Sequence, residues 1–219
     1  MQIKQLHGWK LSYLEAKKIQ TDLASGISTL HELPPVKYIA GVDASVISAS
    51  RGRAAAVIVS YPGLNSVEYK TAEAEFRFPY IPGLLSFREL PAILSALEKI
   101  EHIPDLVLMD GQGLAHPRKF GIASHLGLIL DIATIGCAKS RLCGEYGEVP
   151  AERGGYSHLT QNNEIIGAAL RTKYGAKPVF VSIGHRIDLQ TSIKWIMNCC
   201  GKYRLPEPCR LAHIICKRG

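Results

Sequence analysis

Residues 105–144 read DLVLMDGQGLAHPRKFGIASHLGLILDIATIGCAKSRLCG. The stretch passes from an apolar run to a single carboxylate, a glycine-rich turn, a compact helix, a second apolar run and a lysine. Leu106, Val107, Leu108 and Met109 have the length and composition of a buried strand, and Asp110 stands where that strand emerges. Ligands of open α/β sheets bind at the carboxyl ends of strands, so Asp110 is a candidate for chemistry. Gly111 and Gly113 bracket Gln112 and permit close approach of a ligand to the backbone. His116, Arg118 and Lys119 make the same loop positive. Gly121 to Leu130 then reads as a helix and Thr134 to Ala138 as a short buried strand, with Lys139 just past its end.

Upstream, Leu11, Leu14, Ile19 and Leu23 recur at roughly helical spacing and predict an outer helix lying on the sheet. After Pro34-Pro35, Val36 to Val46 reads as a buried strand with Asp43 near its end. Ala54 to Tyr61 and Val67 to Phe76 follow as strands, joined by a turn at Pro62-Gly63 and Asn65, and the three make an antiparallel meander. In FPYIPGLLSFRELP, residues 78–91, Pro79 and Pro82 stiffen a loop presenting Tyr80 and Ile81. Ser86 and Glu89 have capping-box spacing, while Pro91 biases Leu90 away from helix, so the next helix starts either at Ser86 or at Pro91. Either start puts Glu89 at a helix N-terminus.

Downstream, residues 142–163 turn to Gly, Glu, Pro and Ser and read as a long exposed insertion. Glu164 to Leu170 and Val179 to Ile183 are further strands. Asp188 caps a helix that runs to about Cys200 and is ended by Gly201, and Arg210 to Lys217 is a last short helix.

A length of 219 residues, 47% hydrophobic and 21% charged, fits one ordinary domain spanning 1–219. No run approaches a membrane span and MQIKQLHGWKL lacks a signal-peptide core, so a cytoplasmic monomer is expected. The six cysteines contain no CxxC and read as free buried thiols. A net charge of +7 and a pI near 9.1 favour a polyanionic partner such as nucleic acid.

Three antiparallel strands followed by strands alternating with helices is the order of a mixed sheet of the ribonuclease H type, an α/β fold flanked by helices. Such a sheet sets the ends of its first and fourth strands side by side. Asp43 and Asp110 would then share a hard divalent cation, with Glu89 approaching from the helix between them, because three acids at one place need a cation to neutralise them. Each residue also has a plainer reading: a turn aspartate, a capping glutamate, and in Lys139 a solvated strand-end lysine. A rival zinc site would use Cys199, Cys200, Cys209 and His213, the last two sharing a helical face.

GVDAS at 41–45, FPYIPGLLSFRE at 78–89, DGQGLAHPRKFGIASHLG at 110–127, TIGCAKSRLCG at 134–144 and SIGHRID at 182–188 together resemble the endonuclease V family, in order and spacing, over about 36–213. The resemblance implies a ribonuclease H-like fold. It also implies Mg²⁺-dependent cleavage, with Mn²⁺ as a substitute, of the second phosphodiester bond 3′ to deoxyinosine in DNA, leaving a 3′-hydroxyl and a 5′-phosphate. The alternative substrate is inosine-containing RNA. Carried over by position, Asp43, Asp110 and Glu89 resemble the metal-binding acids, and Lys139 and His213 the basic residues near the cleaved phosphate. Pro79, Tyr80, Ile81 and Pro82 resemble the strand-separating wedge. Gly83, Leu85, Gly111, Gly113, Gly136 and Leu142 match places near the pocket for the extruded base. Ala133 and Ile183 depart from the pattern, each standing where proline is frequent.

Overall fold

The computed structural model describes residues 1–48 and 50–218. Among them, eight strands form one sheet in the order β3-β2-β1-β4-β5-β8-β7-β6. The first three, β1 (Tyr38–Val46), β2 (Arg51–Ser60) and β3 (Ser66–Glu75), are the expected antiparallel meander. β4 (Leu106–Met109) pairs parallel with β1, and β5 (Ala133–Ala138) parallel with β4. This half of the sheet has the ribonuclease H-like arrangement that the strand order predicted. β8 (Val179–His185) then runs antiparallel to β5, followed by β7 (Glu164–Leu170) and β6 (Tyr156–Gln161) at the far edge.

Alternation along the strands divides the core into two layers. Ala40, Val42, Val107 and Met109 face the helices α2 (Leu85–Leu97) and α3 (Ile122–Leu130). Ile39, Leu106 and Leu108 face the opposite layer, which holds α4 (Leu189–Cys199) and α5 (Glu207–Lys217). By that parity Asp43 belongs to the α5 side. α5 can lie close because Gly41 has no side chain: a methyl group there would stand 2.1 Å from the Pro208 carbonyl. α3 is seated in the same way, since a methyl at Gly127 would come within 2.2 Å of Thr134 Oγ1.

Four expectations change. The helix α1 (Tyr13–Ala24) exists, opened by a capping box between Ser12 and Glu15, but its buried residues are Ala16 and Gln20 while Leu14 points to solvent. It packs on Phe78, Leu84 and Phe87 rather than on the sheet. α2 begins at Leu85 and carries Pro91 inside it; the Ser86–Glu89 capping box does not form, and Ser86 Oγ is buried without a partner among the described residues. Burial of Leu84, Phe87 and Leu90 extends the helix ahead of the proline despite the lost N–H. The insertion at 142–163 contains β6, and α5 starts at Glu207, with Pro208 in its first turn, rather than at Arg210. Asp188 does cap α4, its Oδ1 accepting from the Thr191 N–H at 2.8 Å. Among the described residues no helix is long and apolar enough to cross a membrane.

Candidate active site

The parallel register of β1 and β4 ends with Val42 opposite Met109, so Asp43 and Asp110 are the next residues out on adjacent strands. The Asp110 N–H reaches the Val42 carbonyl at 3.4 Å and holds the two strand ends together. Lys139 follows β5, the next parallel strand, and its ammonium pairs with Asp110 Oδ2. From α5, His213 Nδ1 lies 2.7 Å from Asp43 Oδ2, and Cys216 Sγ lies 3.8 Å from the same oxygen. The Ala44 N–H donates to Asp43 Oδ1 at 2.8 Å.

Charge in this cluster is poorly compensated. Burial raises the pKa of Asp43, and the neighbouring Asp110 raises it further, against the pull of His213 and Lys139. Glu89, in the first turns of α2, is pushed up to about 8, first by burial and then by Asp43 and Asp110. No hydrogen bond from a described residue reaches its carboxyl. The three carboxyl groups do not all come within 4.8 Å of one another; Asp43, His213 and Cys216 do. The rival zinc set is not assembled: among the described residues Cys199, Cys200, Cys209 and His213 form no such group, and the cysteines are free thiols.

Beside the acids opens a cavity of about 310 Å³, within the range of small-ligand sites. Tyr80, Ile81, Pro82, Gly83, Leu85 and Leu142 line it together with Asp110, Gly111 and Lys139. Tyr80 is 68% exposed at its rim. Pro79 stands outside the lining. Gly113 and Gly136 form its backing instead, where chain segments pass so close that a methyl at Gly113 would stand 1.9 Å from the Ile183 carbonyl oxygen.

Gln20, which the sequence does not single out, joins His116 and Arg118 of the 110–119 loop in holding this wall. Gly83 turns the chain at φ +79°, and its carbonyl accepts from Gln20 Nε2 at 3.0 Å, His116 Nε2 at 2.8 Å and Arg118 Nη2 at 2.9 Å. Arg118 Nε also donates to Gln20 Oε1 at 2.6 Å. His116 Nδ1 accepts the Arg118 N–H at 3.1 Å, so only the neutral Nε2–H tautomer serves both partners. Burial accordingly pushes His116 down to about 4. The available signal was a glutamine on the helix face that should have been apolar. Ser86 Oγ and Gln112 Oε1, both on residues lining the cavity, are buried and unpartnered among the described residues.

The chain has relatives in both sequence and shape. A family model described as Endonuclease V matches residues 21–214. An endonuclease V from Dehalococcoides mccartyi is 50% identical over 215 residues, covering 98% of this chain and 96% of its own. The crystal structure of an endonuclease V from Streptomyces avermitilis is 39% identical and superposes with a TM-score of 0.92, over 100% of this chain and 97% of that one. That of Ciona intestinalis endonuclease V, in complex with a 24mer DNA containing an inosine followed by a ribo-adenosine, is 29% identical with a TM-score of 0.80, covering 94% and 96%.

Proposed function

The chain belongs to the endonuclease V family, and from that premise we propose that it is a DNA repair endonuclease, a phosphodiester hydrolase that nicks a strand at the second phosphodiester bond 3′ to deoxyinosine. The observation that carries this reading is the meeting of Asp43 and Asp110 where the parallel pairing of β1 and β4 ends, beside a cavity walled by Gly83, Leu85 and Leu142.

The donor set fits Mg²⁺. Asp43, Asp110 and Glu89 offer hard oxygen ligands, and a third buried carboxyl beside two others is what a divalent cation relieves. Bound there, Mg²⁺ would supply water activation and neutralisation of phosphate oxygens, and Mn²⁺ would substitute. Lys139, held by Asp110 in the free protein, adds a fixed positive charge at the place where a phosphate must sit. His213, its Nδ1 2.7 Å from Asp43 Oδ2, adds a second basic group on the side of the other acid.

Base recognition needs the purine outside the helical stack. Tyr80, exposed between two prolines, is pre-set to fill the gap and loses little freedom in doing so. The cavity's two unpartnered polar atoms call for an occupant with hydrogen-bonding edges, and hypoxanthine brings an N–H donor and a carbonyl acceptor.

The test uses matched DNA and RNA oligonucleotides, each with one inosine. Mg²⁺-dependent nicking of the DNA strand, lost in Asp110→Ala with the fold intact by circular dichroism, is expected. Cleavage retained by that variant overturns the site, and cleavage confined to the RNA strand transfers the activity to the alternative substrate.

A further inference from the structure

Asp43 has a second neighbour on α5, Cys216, that hydrolysis leaves unused. Its Oδ2 faces an imidazole nitrogen of His213 at 2.7 Å and the thiol sulfur of Cys216 at 3.8 Å. One oxygen, one nitrogen and one sulfur therefore stand within 4.8 Å of one another, and among the described residues no other three His, Cys, Asp or Glu donors do. His213 and Cys216 are three apart on α5, so one turn of helix presents both to the end of β1.

The chemistry of this trio differs from that of the three carboxyl groups. Mg²⁺ takes oxygen and shuns sulfur, whereas zinc accepts carboxylate, imidazole and thiolate together. We propose that Asp43, His213 and Cys216 form a site for a borderline divalent ion, zinc foremost, whose occupation withdraws Asp43 and His213 from hydrolysis and so inhibits the Mg²⁺-dependent reaction. The inhibitory half rests on the nuclease reading above; the ion site does not.

Geometry supports the fit. A tetrahedral zinc with ligands at about 2.0–2.3 Å sets its donors roughly 3.3–3.7 Å apart, so the sulfur is already close to its distance and the His213–Asp43 contact opens by roughly 0.6 Å. Three protein ligands leave a fourth position for water. The way in lies past His213, whose side chain is 33% exposed against 11% for Asp43. Cys216 is 2% exposed, so an arriving ion meets the imidazole first and the thiol last. On binding, the thiol proton passes to buffer as the zinc–sulfur bond forms.

Cadmium takes the same donors and reports a bound thiolate by ultraviolet charge-transfer absorption. Added to the metal-free full-length protein, it should give a band of one-to-one stoichiometry that Cys216→Ser removes, the other five cysteines being common to both proteins. Zinc should inhibit Mg²⁺-dependent nicking, and Cys216→Ser should raise the half-inhibitory zinc concentration by at least about tenfold. An equal cadmium band in both proteins, or equal zinc sensitivity, overturns the proposal. Should the serine variant not fold, Cys216→Ala and cadmium NMR of the unsubstituted protein take its place, a resonance without thiolate character counting against the site. A cadmium band in a protein that never nicks inosine-containing strands would sink the nuclease reading and leave the ion site standing.

Discussion

Glu89 is a carboxyl group held near pKa 8 by burial first and by Asp43 and Asp110 after it, with no described residue to bond it. A neutral isostere therefore costs the metal-free protein little, and Glu89→Gln should melt at or above the wild-type temperature in chelator. What the variant loses is its response to the ion. Mg²⁺ at about a hundred times its Kd stabilises a binding-competent fold by about 2.7 kcal/mol, and calorimetry with and without Mg²⁺ should find most of that gain gone in Glu89→Gln. A variant that gains as much as wild type removes Glu89 from the ligand set. His116 gives a prediction of different origin. Its folded pKa lies near 4, below the ordinary value of 6.5, because it is enclosed and must stay neutral to bond Gly83 and Arg118 at once. Between those values the unfolded chain binds a proton that the folded chain refuses, so stability is complete above pH 6.5 and drains as pH falls toward 4. His116→Gln should flatten this acid limb by about 1–3 kcal/mol, read as the difference between the two proteins' urea midpoints from about pH 7 to about pH 4. Parallel curves would show that another histidine carries the effect.

At the scale of elements, the site depends on how closely α5 lies on β1. Gly41 and Asp43 share a strand face, and Pro208 occupies the space a side chain at 41 would take. Gly41→Ala should displace the N-terminal turn of α5, cost about 1–3 kcal/mol by overpacking, and lower turnover because His213 rides on the same helix. Chemical denaturation and single-turnover nicking check the two effects; an undisturbed rate would mean that His213 is dispensable. The loop before α2 is the other working element. Tyr80→Ala should weaken binding to inosine duplex by about 1–3 kcal/mol and to the single strand by less, since only a duplex leaves a gap to fill. Equal losses on both, measured by fluorescence anisotropy, would refute the wedge. These elements were legible in the sequence to different degrees. The strand ends bearing Asp43 and Asp110 were plain, because each follows an uninterrupted apolar run that only a buried strand explains. β6 was not, since Tyr156 to Gln161 lies at the sheet's edge with one fully buried residue, Leu159, and its composition is that of a loop. For α2 the sequence leaves two starts, Ser86 and Pro91, because a proline's local bias says nothing of the burial that decides for the earlier one, and what Gln20 does is hidden because its partners arrive from 63 to 100 residues away.

For the whole molecule, the net charge of +7 announces a polyanion without saying where it lies. The fold supplies the place: the parallel pairing of β1, β4 and β5 ends at one edge, and Lys139, Arg118 and Arg141 gather round the cavity beyond it. Several other basic residues are engaged elsewhere, such as Arg204 on the Lys139 and Pro178 carbonyls and Arg171 on the Val149 carbonyl, where they fasten loops. Total charge thus overstates the cations available to a nucleic acid strand, and the salt dependence of binding should reveal the working number. Each phosphate neutralised on a duplex contributes about −0.9 to the slope of log K against log salt. Arg141 is exposed, lines the cavity and spends one N–H on the Gly144 carbonyl at 2.9 Å, which fixes its reach while leaving donors free. Arg141→Ala should therefore weaken binding to inosine and control duplexes alike and reduce the slope by about one. Tyr80→Ala should leave the slope unchanged while lowering the intercept, because stacking releases no counterions. Anisotropy titrations of the three proteins across a salt series separate the two contributions, and a slope unaltered by Arg141→Ala would place the phosphate path on a different face of the sheet.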